Sequence, residues 1–228
     1  MNLYLSNQKR DRDLDIYLEK LCVSQEEFEQ INHADKKLLL IGGGLSTSQL
    51  LFSIKTKMKI VNIDFHPSES VQSNRIVSIK EDFIKSSMFV NEFDEIWALY
   101  SLPLYSPTKE SIHVFFAKTI IAARPEGKIR FYPLEFDKNN KMSTRDADYD
   151  ISLLECTETV LTCLKLYEQD GIKTNRMPMQ FKDNRIEESV TIVLNCSELH
   201  KAQINDQMKE QLILYSTEKT SYTTNIII

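Results

Sequence analysis

The chain has 228 residues and lacks the marks of several protein classes. It has four cysteines, and Cys22, Cys156, Cys163 and Cys196 form no Cys-x-x-Cys pair. If Cys156 and Cys163 share a helix they stand about 10 Å apart along it, too far for a disulfide. All four read as reduced thiols of a cytoplasmic protein, and neither they nor the four scattered histidines suggest a metal site. Positive charge is not in excess: 28 Lys and Arg against 33 Asp and Glu give a net charge of −5. That balance gives no general attraction to nucleic acid or to anionic lipid. The apolar runs fall far short of the roughly 20 residues that cross a bilayer, so no membrane partner is expected. The opening residues, MNLYLSNQKRDRD, turn polar and charged too early for a secretory leader. There is no internal repeat and no low-complexity segment.

Glycine is also scarce, and its distribution is the most informative feature of the chain. Three of the five glycines are adjacent, Gly42, Gly43 and Gly44. They follow Leu38 to Ile41, an apolar run that suits a strand covered on both faces. Ser46 to Ser48 can then cap a helix burying Leu50, Leu51 and Ile54. Such a strand–turn–helix lets a ligand approach bare backbone and meet the free N–H groups of a helix start. Lys59 to Asp64 reads as the next strand, and Asp64 lies 20 residues beyond Gly44. This spacing sets a carboxylate at the end of a neighbouring parallel strand, where it can accept hydrogen bonds from both hydroxyls of a ribose. Turn and acid together point to an adenosine-containing ligand.

The rest of the chain supplies one sizeable α/β domain. Residues 1–35 read as a helical cover. Leu14, Tyr17, Leu18 and Leu21 share one helical face, and a capping box at Ser24 to Glu27 starts a second helix that buries Phe28 and Ile31. Further strands are expected at Arg75 to Ile79, Phe93 to Leu99 and Lys128 to Pro133. A helix starting at Ser106-Pro107 lies between the last two. The rhythm βαβαβαβαβ argues for a doubly wound parallel sheet. Residues 134–149 read as a polar loop, 150–169 as a helix ended by Gly171, and Ile172 to Met179 and Val190 to Asn195 as closing strands joined by a polar turn at 182–184. The tail, 197–228, suits a helix near 204–214 and a last strand at 225–228, packed on the same domain.

Over residues 36–196 this layout resembles the class I S-adenosylmethionine-dependent methyltransferases. The resemblance implies a mostly parallel seven-stranded sheet whose last strand is antiparallel, with S-adenosylmethionine as cofactor. Leu38 to Ser46 looks like the turn that holds the cofactor's methionyl part. Asp64 looks like the ribose acid, Phe65 like the apolar side chain packed on adenine, and Asp82, after Glu81, like the acid facing the adenine amino group. Tyr100 to Tyr105 resembles the fourth-strand loop that faces the transferred methyl. The implied cofactor set is Gly42, Gly43, Gly44, Asp64, Phe65, Asp82 and Tyr100, with a small-molecule or macromolecular methyl acceptor as partner. Ser101, Tyr105, Tyr132 and Glu135 are candidates for its pocket. No catalytic residue is singled out: His66 lies on the cofactor side, His113 inside a helix, and Trp97 in the core. Two positions depart from the family pattern, Leu40 in place of an acid and Ser46 in place of a third glycine. Three other functions share these features: a non-catalytic binding or scaffold protein, a polyamine synthase using the decarboxylated cofactor, and an NAD-dependent dehydrogenase.

Overall fold

The computed structural model describes residues 13–43, 55–64, 75–136, 151–180 and 186–223. Its centre is a sheet of β1 (Lys37–Ile41), β2 (Lys59–Asp64), β3 (Ile76–Lys80), β4 (Phe93–Leu99), β5 (Ala123–Phe136), β6 (Lys173–Gln180) and β7 (Ile186–Val193). The seven strands lie in the order β3-β2-β1-β4-β5-β7-β6. β1 to β5 pair in parallel, and β7 runs antiparallel to both β5 and β6. The α/β class, the seven strands and the antiparallel β7 are those expected.

One face of the sheet is covered by α1 (Leu14–Lys20) and α2 (Gln25–Ile31). Asp13 caps α1 by accepting the Ile16 N–H at 3.1 Å. Tyr17, Leu21 and Phe28 pack with Leu38, Leu40, Ile60, Trp97, Leu99 and Tyr132. The capping box at Ser24 forms by half: the Ser24 hydroxyl accepts the Glu27 N–H at 3.1 Å. The Glu27 carboxylate turns instead to Arg130, 2.6 Å away, and to Lys128. Arg130 also donates through Nε to Glu95 at 3.1 Å, and the Trp97 indole N–H donates to the same carboxylate at 2.7 Å. A charged network buried in the sheet therefore anchors α2, since a buried carboxylate needs such partners.

The opposite face carries α3 (Lys109–Ala122), α4 (Leu153–Gln169) and α5 (Glu198–Thr223). α3 contacts both α4 and α5 as well as the sheet. Ile112, Phe115, Phe116, Ala117, Ile120 and Ile121 are all fully buried, as befits a helix enclosed on most sides. α5 is docked by Lys201, whose Nζ donates to the Ile120 carbonyl at 2.7 Å and to Asn205 Oδ1 at 2.5 Å. Burial pushes the Lys201 ammonium down to about 8.

Several boundaries differ from those expected. α3 begins at Lys109, because Thr108 and Ser111 form a reciprocal capping box, each hydroxyl accepting the other's backbone N–H at 3.1 Å. Ser106 is buried in the preceding loop instead, its N–H donating to the Pro103 carbonyl. β5 pairs with β4 from Ala123, five residues early, through an irregularity between Phe93 and Glu95. α5 is longer than 204–214 at both ends. The helix expected after the glycine turn, the turn at 182–184 and the strand at 225–228 lie outside the described residues.

Candidate functional site

The chain crosses from β1 to its neighbour β2 on one side, and β4 pairs with β1 on the other. The two loops leaving β1 and β4 thus diverge, and the crevice between them is where open α/β sheets take ligands. Gly42 and Gly43 lie at this point. Gly42 adopts φ +69°, a left-handed conformation that favours glycine. Its N–H donates to the Ile63 carbonyl at 2.8 Å, and the Gly43 N–H donates to Asn62 Oδ1 at 3.1 Å. A Cβ on Gly42 would stand 2.5 Å from Ser101 Cβ, and one on Gly43 would stand 2.1 Å from Asn62 Oδ1. Ser101 Oγ also donates to the Ile41 carbonyl at 2.7 Å. The bare backbone, read in the sequence as room for a ligand, is thus also required by two side chains of the chain itself.

Asp64 ends β2 one step past Ile63, the residue paired with Ile41, and so stands beside Gly42. Its side chain is half-buried. Tyr100 is the first residue beyond β4 and has φ +48°, a strained conformation for tyrosine of a kind that collects at functional sites. Its N–H donates to the Tyr132 carbonyl at 2.7 Å, and the two rings meet edge to face at 5.2 Å. The Tyr132 hydroxyl donates to Glu187 of β7. Burial, and then that carboxylate, push the Tyr132 phenol far up, so it stays protonated and acts as a donor. Lys20, the last residue of α1, sets its Nζ 5.6 Å from the centre of the Tyr132 ring.

Asp82 lies just past the end of edge strand β3, two residues beyond Lys80, which pairs with Asp64, and the Glu81 N–H donates to the Asp64 carbonyl at 3.1 Å. Its Oδ1 accepts the Ile84 N–H at 2.9 Å, and its carbonyl accepts those of Lys85 and Ser86. The turn that follows is held from α3 by Lys118, whose Nζ donates to the carbonyls of Phe83 (2.6 Å), Ser86 (2.7 Å) and Ile84 (3.3 Å). His113 Nδ1 lies 3.3 Å from Cys163 Sγ, and burial lowers its basicity. Trp97 is fully buried. Gly44, Phe65 and His66 lie outside the described residues. Leu40, at the position of the family's acid, is fully buried among apolar side chains.

The structure thus brings Gly42, Gly43, Asp64, Tyr100 and Ser101 to one edge, and sets Asp82 just past the end of the strand that pairs with β2 at Asp64. Sequence reasoning missed Asn62, Glu187 and Lys118. A polar residue within Ile60-Val61-Asn62-Ile63 and a lysine within Phe115-Phe116-Ala117-Lys118 were legible signals, since each breaks an apolar pattern. Glu187 carried none. The fully buried Asn62 leaves its Nδ2 without a hydrogen-bond partner. An orphaned donor under the glycine turn and a carboxylate beside it fit an adenosyl ligand with a polar arm. Among the described residues no group of three or more His, Cys, Asp or Glu is placed to hold a metal, and no helix is long and apolar enough to cross a membrane.

Neither a protein-family model nor a curated protein matches the sequence. Solved structures do match. The [4+2]-cyclase SpnF superposes with a TM-score of 0.56 at 13% identity, over 82% of this chain and 81% of its own. The 1,6-didemethyltoxoflavin-N1-methyltransferase of Burkholderia thailandensis, solved with 1,6-didemethyltoxoflavin and S-adenosylhomocysteine, gives 0.51 at 13%, over 83% of this chain and 84% of its own. The chain has the class I methyltransferase fold. A phosphoethanolamine N-methyltransferase of Haemonchus contortus, with S-adenosylhomocysteine bound, shares this fold at a TM-score of 0.52 and 9% identity, over 80% of this chain and 54% of its own. One of these three methyltransferase-fold proteins is named a cyclase, so the fold alone does not carry the reaction.

Proposed function

We propose that the protein binds S-adenosylmethionine and transfers its methyl group to an acceptor held near the ends of β4 and β5. The observation that carries this reading is Asp64 standing in register beside the positive-φ Gly42, at the point where the sheet's strand order reverses. Asp64 would hold the ribose and the glycine turn the methionyl arm. The cofactor's sulfonium supplies an electrophilic methyl, so the protein's part is to orient the acceptor and exclude water. Tyr100 and Tyr132, with Glu187 behind them, line the side of the crevice left for the acceptor. Residues 36–196 form the cofactor domain in this reading, with 1–35 as its cover and 197–228 packed on it. The four thiols are free, which suits a cytoplasmic setting.

Calorimetry of the full chain with S-adenosylmethionine and S-adenosylhomocysteine tests this. Binding at micromolar concentration is expected, weakened at least about tenfold by Asp64→Ala, as for lost hydrogen bonds to a charged group. No binding at millimolar concentration overturns the cofactor, and binding indifferent to Asp64→Ala overturns the ribose contact. The second reading is a non-catalytic binding protein on the same fold. It is favoured by Leu40 and by the internal use of both described glycine N–H groups.

A further inference from the structure

We propose that the protein forms a two-fold dimer through α5, each copy setting Ile213 into an apolar groove of the other. The proposal concerns a surface away from the glycine turn and does not depend on the cofactor reading.

From Lys201 to Glu210, α5 has one inward and one outward side. Lys201, Ile204, Asn205 and Met208 are buried, at the spacing of three and four residues that marks one helix face. Gln203, Asp206, Gln207 and Glu210 are exposed and polar, as a water-facing side requires. Ile213 breaks that pattern: it follows Glu210 by three residues and is 61% exposed. Beside it lies an open apolar groove of about 340 Å³, lined by Met88, Lys209, Leu212 and Ile213 itself. Met88 comes from the segment between β3 and β4. There Phe89 turns inward, its ring meeting Phe93 edge to face at 5.2 Å, while Met88 and Val90 stand 44% and 45% exposed. Asn205 Nδ2 donates to Asn91 Oδ1 at 3.1 Å, so this segment and α5 form one fixed surface.

The form of the surface selects its occupant. An exposed aliphatic side chain beside an apolar hollow is a knob next to a hole. A two-fold interface needs both on one patch, because the same residues serve each copy. The charges repeat this arrangement. Lys209, in the wall of the groove, has a side chain 42% exposed and is followed at once by the exposed Glu210. When two α5 helices pass antiparallel about Gln211, Ile213 of each faces Lys209 of the other. The Lys209 ammonium then comes within reach of Glu210 of the other copy, and the pair forms twice. Asp206 meets Lys209 at 3.3 Å within the same helix and steadies it without covering it. The contact takes Ile213 and Met88 out of water, which drives it, and the paired charges set its register.

Sedimentation equilibrium of the full chain tests this. A monomer–dimer equilibrium at micromolar concentration is expected, the weak end of the range for a contact centred on a few side chains. Ile213→Glu is expected to weaken it at least about a hundredfold, because each copy then buries a carboxylate in an apolar groove. Met88→Glu alters the same groove from outside α5 and is expected to act alike, which separates loss of the contact from any effect on the helix. Lys209→Glu and Glu210→Lys should each weaken the dimer about tenfold by setting like charges across the axis. Mixed together, these two variants are expected to associate as tightly as wild type, since one copy then presents two acids and the other two bases. A chain that stays monomeric at submillimolar concentration overturns the proposal. So does a dimer indifferent to Ile213→Glu or to Met88→Glu, and so does a mixture that associates no better than its two components.

Discussion

On one face of the sheet, α3 meets Phe131 and Tyr167 with Phe115 and Phe116 through edge-to-face rings 5.7 to 6.3 Å apart. On the other, α1 and α2 meet the sheet through Tyr17 stacked on Trp97, and beside that stack runs Glu27–Arg130–Glu95, a chain of charges in which Glu27 is half-buried and Arg130 and Glu95 are buried. Both faces exclude water, but by different physics. The first gains from area and packing, which are non-directional and insensitive to pH. The second depends on each charge keeping its partner. The polar groups around the candidate site, Asn62, Asp64, Tyr132 and Glu187, lie towards this second face or at its edge. The apolar face supplies the rigid floor, and directional chemistry gathers opposite it.

Two substitutions with the largest expected effects set the faces against each other. Phe116→Ala should cost about 3–5 kcal/mol in urea unfolding, equally at pH 5 and pH 8, because it removes only apolar contact. Arg130→Met should cost about 3–5 kcal/mol near neutral pH, because it leaves Glu95 buried and unpaired. Burial already pushes the Glu95 carboxyl above its ordinary range, against the pull of Arg130 and Trp97. A carboxyl with a raised folded pKa binds more protons folded than unfolded, so its share of stability grows as the pH falls. The deficit of Arg130→Met should therefore shrink at pH 5, and pairing it with Glu95→Gln should restore part of the loss at pH 8. Equal deficits at both pH values would erase the distinction between the faces.

Lys118→Met is expected to cost less, about 1–3 kcal/mol, by leaving buried carbonyls of the turn after β3 without a donor. Burial lowers the Lys118 ammonium to about 8, while Asp82 and Glu81 pull it up. Between about pH 8 and its unfolded value the unfolded chain holds the extra proton, so wild type gains stability over this variant as the pH rises from 8 to 10. Denaturant midpoints for both proteins across that range check the sign.

These contrasts also show what the sequence could disclose. Apolar periodicity located the strands, because burial on both faces leaves only apolar residues in β1 after Lys37 and in most of β4, and Phe93–Leu99 is found where it was expected. The glycine turn and Asp64 were legible because spacing along parallel strands is fixed by geometry. The use made of the turn was not. The Cβ space of Gly42 is filled by Ser101, distant in sequence, and that of Gly43 by Asn62 across the strand pair, and only pairing in space brings them there. Glu187 reaches Tyr132 through the β5–β7 pairing, which no local pattern encodes. Likewise Glu27 reads as one half of a capping box, and tertiary charge pairing with Arg130 overrides that local bond.

The smallest expected effect sharpens the comparison at the point where cover and site meet. Lys20 ends α1 with its ammonium 5.6 Å from the centre of the Tyr132 ring, and its side chain is largely buried. Lys20→Met keeps the aliphatic stem and removes the charge, so the cost should be about 0.5–1 kcal/mol. Tyr132→Phe keeps the aromatic face under the Lys20 ammonium and removes only the hydroxyl bonded to Glu187. A larger loss in Tyr132→Phe than in Lys20→Met is expected, since it strips a buried carboxylate of its donor. Melting curves of the two variants and of the double mutant decide the matter. Additive losses would show that α1 and Glu187 hold Tyr132 independently. Non-additive losses would show that the cover and the buried carboxylate are coupled through this one ring.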